Sequence, residues 1–162
     1  MPGDDTTTPV EILLVEDTGG DAEMMIEALR GSDLSLRVHR VEDGEEALAF
    51  LRRQGDHATA VRPDLILLDL HLPRMNGYEV LAEIEQDDSL RQILVVVMAS
   101  LEAEQAFRGT GELRGYCRVC KPDDFDEATC AVKKIEHFWL HHRCQCHRSH
   151  SPRSPEASQR CP

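Results

Sequence analysis

Short, nearly unbroken apolar runs alternate along the chain with longer stretches in which apolar residues recur every three or four positions. The run EILLV at 11–15 ends in Glu16-Asp17 and then Thr18-Gly19-Gly20-Asp21, the pattern of a buried strand, a loop and a helix start. Ala22, Met25, Ile26 and Leu29 continue at helical spacing. Leu36, Val38 and Val41 mark a second strand, after which Asp43-Gly44-Glu45-Glu46 resembles a capping box ahead of Ala47, Leu48 and Leu51. A polar connection over 54–63 leads to LILL at 65–68, which runs straight into Asp69. Pro73 and Asn76-Gly77 break the chain before the helical positions Val80, Leu81 and Ile84. ILVVVM at 93–98 is rich in β-branched residues and reads as a fourth strand, with a short helix over 101–108 ending in Gly109-Thr110-Gly111. A less apolar fifth strand over 115–120 precedes Lys121-Pro122, and Phe125, Ala128, Val132, Ile135 and Trp139 form one face of a last helix.

Five strands thus alternate with five helices, and three strands are apolar almost throughout, as strands are when helices cover both faces of a parallel sheet. The expectation is an α/β doubly wound (βα)5 domain over residues 10–141, with a flexible N-terminus at 1–9. Beyond about residue 142 the periodicity stops, and the Cys-, His-, Arg-, Ser- and Pro-rich segment 142–162 is expected to be disordered.

Charge narrows the functional classes. The 162 residues carry 18 Lys and Arg against 30 Asp and Glu, a net of −12. Segment 143–162 has four Arg and the single Glu156, or +3, which leaves −15 on residues 1–142. Such a body argues against nucleic acid or an anionic membrane as partner. MPGDDTTTP has no basic or apolar leader, and no apolar run reaches the roughly 18 residues of a membrane span. Only Lys121, Lys133 and Lys134 are lysines, and many acids with few lysines suit a salt-adapted cytoplasmic protein. The six cysteines all lie at or after Cys117, with no framework through the body, so reduced thiols are expected. HHRCQCHRSH at 141–150 contains metal-ligand residue types, but Cys144 and Cys146 have no second paired cluster, and disorder is preferred to a zinc site.

In a doubly wound sheet the ligand site lies outside the carboxyl ends of the strands. Here those ends carry Glu16-Asp17, Asp69, Ala99-Ser100 and Lys121-Pro122. Two like charges about 4 Å apart repel by roughly 4 kcal/mol at an effective dielectric of 20, so three converging acids require cations. All-oxygen ligands beside a lysine suit Mg²⁺, an ion typically shared between carboxylates and a phosphoryl group.

VEDTGGDAEMM, PDLILLDLHLPRMNGYEVL and CKPDDFDE, in this order and spacing, resemble the receiver domains of two-component response regulators. IEHFWL at 135–140 is similar to the single-domain receivers that serve phytochrome-type sensor kinases. The resemblance implies a flavodoxin-like strand order 2-1-3-4-5, phosphorylation by a sensor histidine kinase, and signalling through an unnamed downstream protein. It implies that Asp69 is the phosphoacceptor, that Asp17, Asp69 and the backbone carbonyl of His71 bind Mg²⁺, and that Glu16 assists indirectly. Lys121 would contact the phosphoryl group, with the Lys121-Pro122 bond cis, and slow autodephosphorylation would follow. Two copies could pair through the fourth and fifth helices as a homodimer.

Two positions depart from the family pattern. Ala99 stands where a phosphoryl-binding Thr or Ser is usual, with Ser100 beside it as a substitute contact, and Arg118 replaces the usual aromatic. A phosphorylatable domain with altered output is therefore expected, against two alternatives. One is a receiver-like scaffold that is never phosphorylated. The other is an aspartyl-nucleophile phosphohydrolase, disfavoured because His71 stands where that chemistry places a second acid.

Overall fold

The computed structural model describes residues 8–100 and 117–148, the side chains of 143–148 excepted. Five strands form one sheet: β1 (Val10–Val15), β2 (Leu36–Val41), β3 (Leu65–Asp69), β4 (Leu94–Ala99) and β5 (Cys117–Cys120). All pairings are parallel and the order is β2-β1-β3-β4-β5, as expected. The connecting helices are α1 (Gly19–Arg30), α2 (Gly44–Arg52) and α3 (Gly77–Gln86), and a final helix spans Phe125–Arg148. The helix expected over 101–108 lies outside the described residues.

Alternation along the strands builds two cores. Leu13, Val15, Ile66, Leu68, Val95 and Val97 face α2 and α3, while Ile12, Leu14, Leu65, Leu67, Val96 and Met98 face α1 and the final helix. Both faces being covered explains why β3 is buried at every position from Leu65 to Asp69. Only the strand ends are left for polar chemistry.

Helix starts follow local side-chain chemistry. Asp43 caps α2 by accepting from the Glu46 amide, but Glu46 reaches back to the amide of Glu42, one residue beyond the expected reciprocal partner. The full capping box is at α3, where Asn76 and Glu79 each accept from the other's main chain at 3.0 Å. The polar connection contains one 3-10 turn, Gly55–His57.

Two expectations need correction here. The final helix continues to Arg148, past the anticipated end near 142. Loss of an apolar stripe ends packing, not helical hydrogen bonding, and HHRCQCHR contains no Gly or Pro to interrupt it. The segment from 149 onward lies outside the described residues. Cys117 is a free thiol as expected, whereas Cys130 is disulfide-bonded. Cysteine pairing depends on sulfur proximity in the fold, which overall composition does not encode.

Candidate functional site

Register brings the strand ends together. Val15 pairs with Leu68, Asp69 with Met98, and Ala99 with Cys120, so Glu16, Asp69 and Lys121 emerge along one edge of the sheet. Lys121 is anchored by its amide, which donates to the Ala99 carbonyl at 2.9 Å. Its Nζ donates to Asp69 Oδ2 at 2.8 Å and to Glu16 Oε2 at 3.3 Å, and lies 3.4 Å from Asp21 Oδ2. The Glu16 and Asp69 side chains are each only 1% exposed and that of Lys121 is 21% exposed, so these charges interact largely out of water. The lysine reaches the acids with every described peptide bond trans, which corrects the expected cis Lys121-Pro122 bond. The trans form is the lower-energy isomer of an X–Pro bond, and the Lys121 side chain spans the gap without the alternative turn.

Main-chain donors hold the acids. Asp69 Oδ1 accepts from the His71 amide at 2.9 Å, and Glu16 Oε2 accepts from the Thr18 amide at 3.1 Å. Asp17 is exposed and its side chain makes no hydrogen bond or ion pair among the described residues. One carboxylate oxygen from each of Glu16, Asp17 and Asp69 lies within 4.8 Å of the others. At that separation each like-charged pair costs roughly 3 kcal/mol at an effective dielectric of 20. Burial and the Asp69 charge push Glu16 from 4.5 up to about 7. Burial acts to lower the Lys121 pKa, yet the hydrogen bond and charge of Asp69, joined by Glu16 and Asp21, outweigh it and hold the ammonium above the usual lysine value.

The loop after Asp69 is fixed by close packing. A Cβ on Gly77 would meet Leu70 Cα at 2.6 Å and the Asp69 carbonyl at 2.8 Å, and one on Gly44 would meet the Met75 carbonyl at 2.4 Å. Arg74 occupies the left-handed region at φ 61°, uncommon for a residue with a side chain, while its guanidinium pairs with Asp43 at 2.7 Å. The α2 cap and the Asp69 loop are therefore tied.

Comparison with known proteins identifies this arrangement. Residues 12–133 match the family model of the response regulator receiver domain. The chain belongs to the receiver domain family. This receiver is 39% identical over 137 residues to response regulator Rcp1 of Synechocystis sp., a match covering 85% of this chain and 93% of Rcp1. The crystal structure of the phosphorylated cyanobacterial phytochrome response regulator RcpA superposes with TM-score 0.72 at 42% identity, covering 82% of this chain and 95% of that one. The Mn(2+)-bound form of Rcp1 also gives TM-score 0.72, at 40% identity with the same coverage. No described helix of the receiver is long and apolar enough to cross a membrane.

Of the residues singled out from sequence, Glu16, Asp17, Asp69 and Lys121 meet in one place. His71 is exposed and joins through its amide. Ser100 is exposed just beyond β4, Ala99 is buried at the end of that strand, and Arg118 is exposed on β5. Sequence reasoning missed Asp21. Its place in the first turn of a helix that starts beside a strand-end acid was the available signal.

Proposed function

We propose that this response regulator receiver accepts a phosphoryl group on Asp69 from a sensor histidine kinase in the cytoplasm, with Mg²⁺ as cofactor, and signals by phosphorylation-dependent binding of a downstream protein. The supporting observation is the contact between Lys121 and Asp69 at 2.8 Å beside an all-carboxylate cluster within 4.8 Å. That donor set fits a hard divalent cation. Asp17, Asp69 and the His71 carbonyl would hold Mg²⁺, with Glu16 assisting, and when bound the ion would neutralise charge developing on phosphoryl oxygens. The neighbour structures described as phosphorylated and as Mn(2+)-bound support the same reading by similarity.

The chain's own groups have separate tasks. The Asp69 carboxylate attacks the phosphorus of a phosphohistidine, forming an acyl phosphate as the P–N bond breaks. The His71 amide orients Asp69 by holding its Oδ1. Lys121 moves from Asp69 to a phosphoryl oxygen, exchanging one charge-assisted hydrogen bond for another. Buried neighbours exclude bulk water around Asp69, which suits an acyl phosphate hydrolysed slowly. Ser100 is the nearest hydroxyl in sequence to the switch position occupied by Ala99, and its contact with the phosphoryl group would need a bend of its loop.

A small acyl phosphate donor with Mg²⁺ tests the assignment by intact mass. The expected result is one added phosphoryl group, lost with time and absent in Asp69→Asn. No mass gain in the wild-type protein would favour the unphosphorylated scaffold.

A further inference from the structure

Arg40, on the edge strand β2, points its guanidinium at the main chain of the acidic turn rather than at an acidic side chain of the cluster. Its Nε and Nη2 both donate to the Glu16 carbonyl oxygen, each at 3.1 Å. Its Nη1 lies 3.6 Å from Glu42 Oε2, which steadies the side chain from the other end. The Glu16 amide in turn donates to the Val41 carbonyl at 3.1 Å. Both polar main-chain groups of Glu16 are therefore held by adjacent residues of β2.

The oxygen that Arg40 grips belongs to the peptide joining Glu16 to Asp17. A planar guanidinium with two donors on one acceptor restricts the orientation of that acceptor. Rotation of the peptide plane would swing the Asp17 Cα and with it the carboxylate. The Asp17 side chain makes no hydrogen bond or ion pair among the described residues, so its direction depends on its backbone. We propose that Arg40 is a positioning residue that sets the aim of Asp17 for a divalent cation. The inference rests on the metal reading above.

Charge alone predicts the opposite behaviour. A guanidinium close to the acidic turn repels an incoming cation, so its removal would tighten metal binding if Arg40 acted only through its field. If Arg40 positions the turn, its removal weakens binding, by about tenfold on the scale usual for outer partners of metal ligands. The sign separates the two.

The test is Mn²⁺ and Mg²⁺ titration calorimetry on the full chain, with amide hydrogen exchange at Glu16 and Thr18 in the metal-free protein. Arg40→Met should bind Mn²⁺ about tenfold more weakly and exchange faster at both amides. Arg40→Lys keeps the charge but loses the paired donors, and should show a smaller loss in the same direction. This variant carries the comparison if Arg40→Met does not fold. Equal or tighter binding by the folded variants overturns the inference, as does weaker binding with unchanged exchange. A wild-type chain that binds neither ion, by contrast, overturns the metal reading itself and this inference with it.

Discussion

Replacing Glu16 by glutamine should stabilise the metal-free protein at alkaline pH and leave it unchanged in acid. Glu16 is 1% exposed and its pKa is raised from 4.5 to about 7, first by burial and then by the Asp69 charge. Below the unfolded value the carboxyl is protonated in both states and costs nothing. Between the two values the unfolded chain ionises while the folded one keeps its proton, so stability falls as pH rises, and the loss is complete above about 7. At 1.36 kcal/mol per unit the loss approaches about 3 kcal/mol, an upper figure because the Lys121 pairing is surrendered in the variant. Urea unfolding of both proteins in chelator, from pH 4.5 to 8, measures the difference directly, since other titrating groups largely cancel. The gain of Glu16→Gln should grow from near zero to 1–3 kcal/mol. Saturating Mg²⁺ should shrink it by stabilising the ionised carboxylate. A gain that is constant with pH, or a variant less stable at pH 8, would refute the reasoning.

Three further outcomes follow from the same geometry. Gly77→Ala drives a methyl into the main chain at Leu70 and Asp69, where nothing can yield, and should cost about 1–3 kcal/mol in urea unfolding; a neutral result would mean that the loop moves freely. Asn76→Ala removes the α3 capping box and should cost about 1 kcal/mol, whereas Asn76→Asp should recover most of it in the same assay. Ala99→Thr should enlarge the phosphorylation-dependent change, measured by amide exchange with and without a phosphodonor, and an unaltered response would remove Ala99 as the cause of atypical coupling.

The strands were legible because a doubly covered sheet demands unbroken apolar runs, and LILL and ILVVVM satisfy that demand with little competition from other structures. Glu16, Asp17 and Asp69 were legible because they sit where such runs end, and Lys121 because it stands before Pro122 at the end of the less apolar fifth strand. What escaped depends on contacts between elements. Asp21 reaches Lys121 across 100 residues of sequence, and the Arg40 grip on Glu16 joins a side chain to a carbonyl, a target without any residue-type signature. The Arg74–Asp43 pair depends on a left-handed backbone at Arg74, where sequence alone offers neither Gly nor Asn as a warning. The length of the final helix escaped for another reason, since its last turns have no apolar stripe to announce them.

The same physics that made the strands readable also assembles the site. Val15, Leu68, Met98 and Ala99 are nearly completely buried; Glu16 follows Val15, Asp69 follows Leu68 and pairs with Met98, and Lys121 follows Cys120, the partner of Ala99. Shifting one strand by a single position would send its core residues to the opposite face, so burial of the two cores fixes the register. Register then forces the carboxylates together against their mutual repulsion. The fold tolerates this because Lys121 meets three of them at once, while the His71 and Thr18 amides take the remaining charge. An ammonium supplies only one positive charge, and the raised Glu16 pKa records the shortfall. Hydrophobic burial thus maintains an anionic site that a divalent cation can complete, and in which Lys121 can exchange partners without leaving its place beside β4.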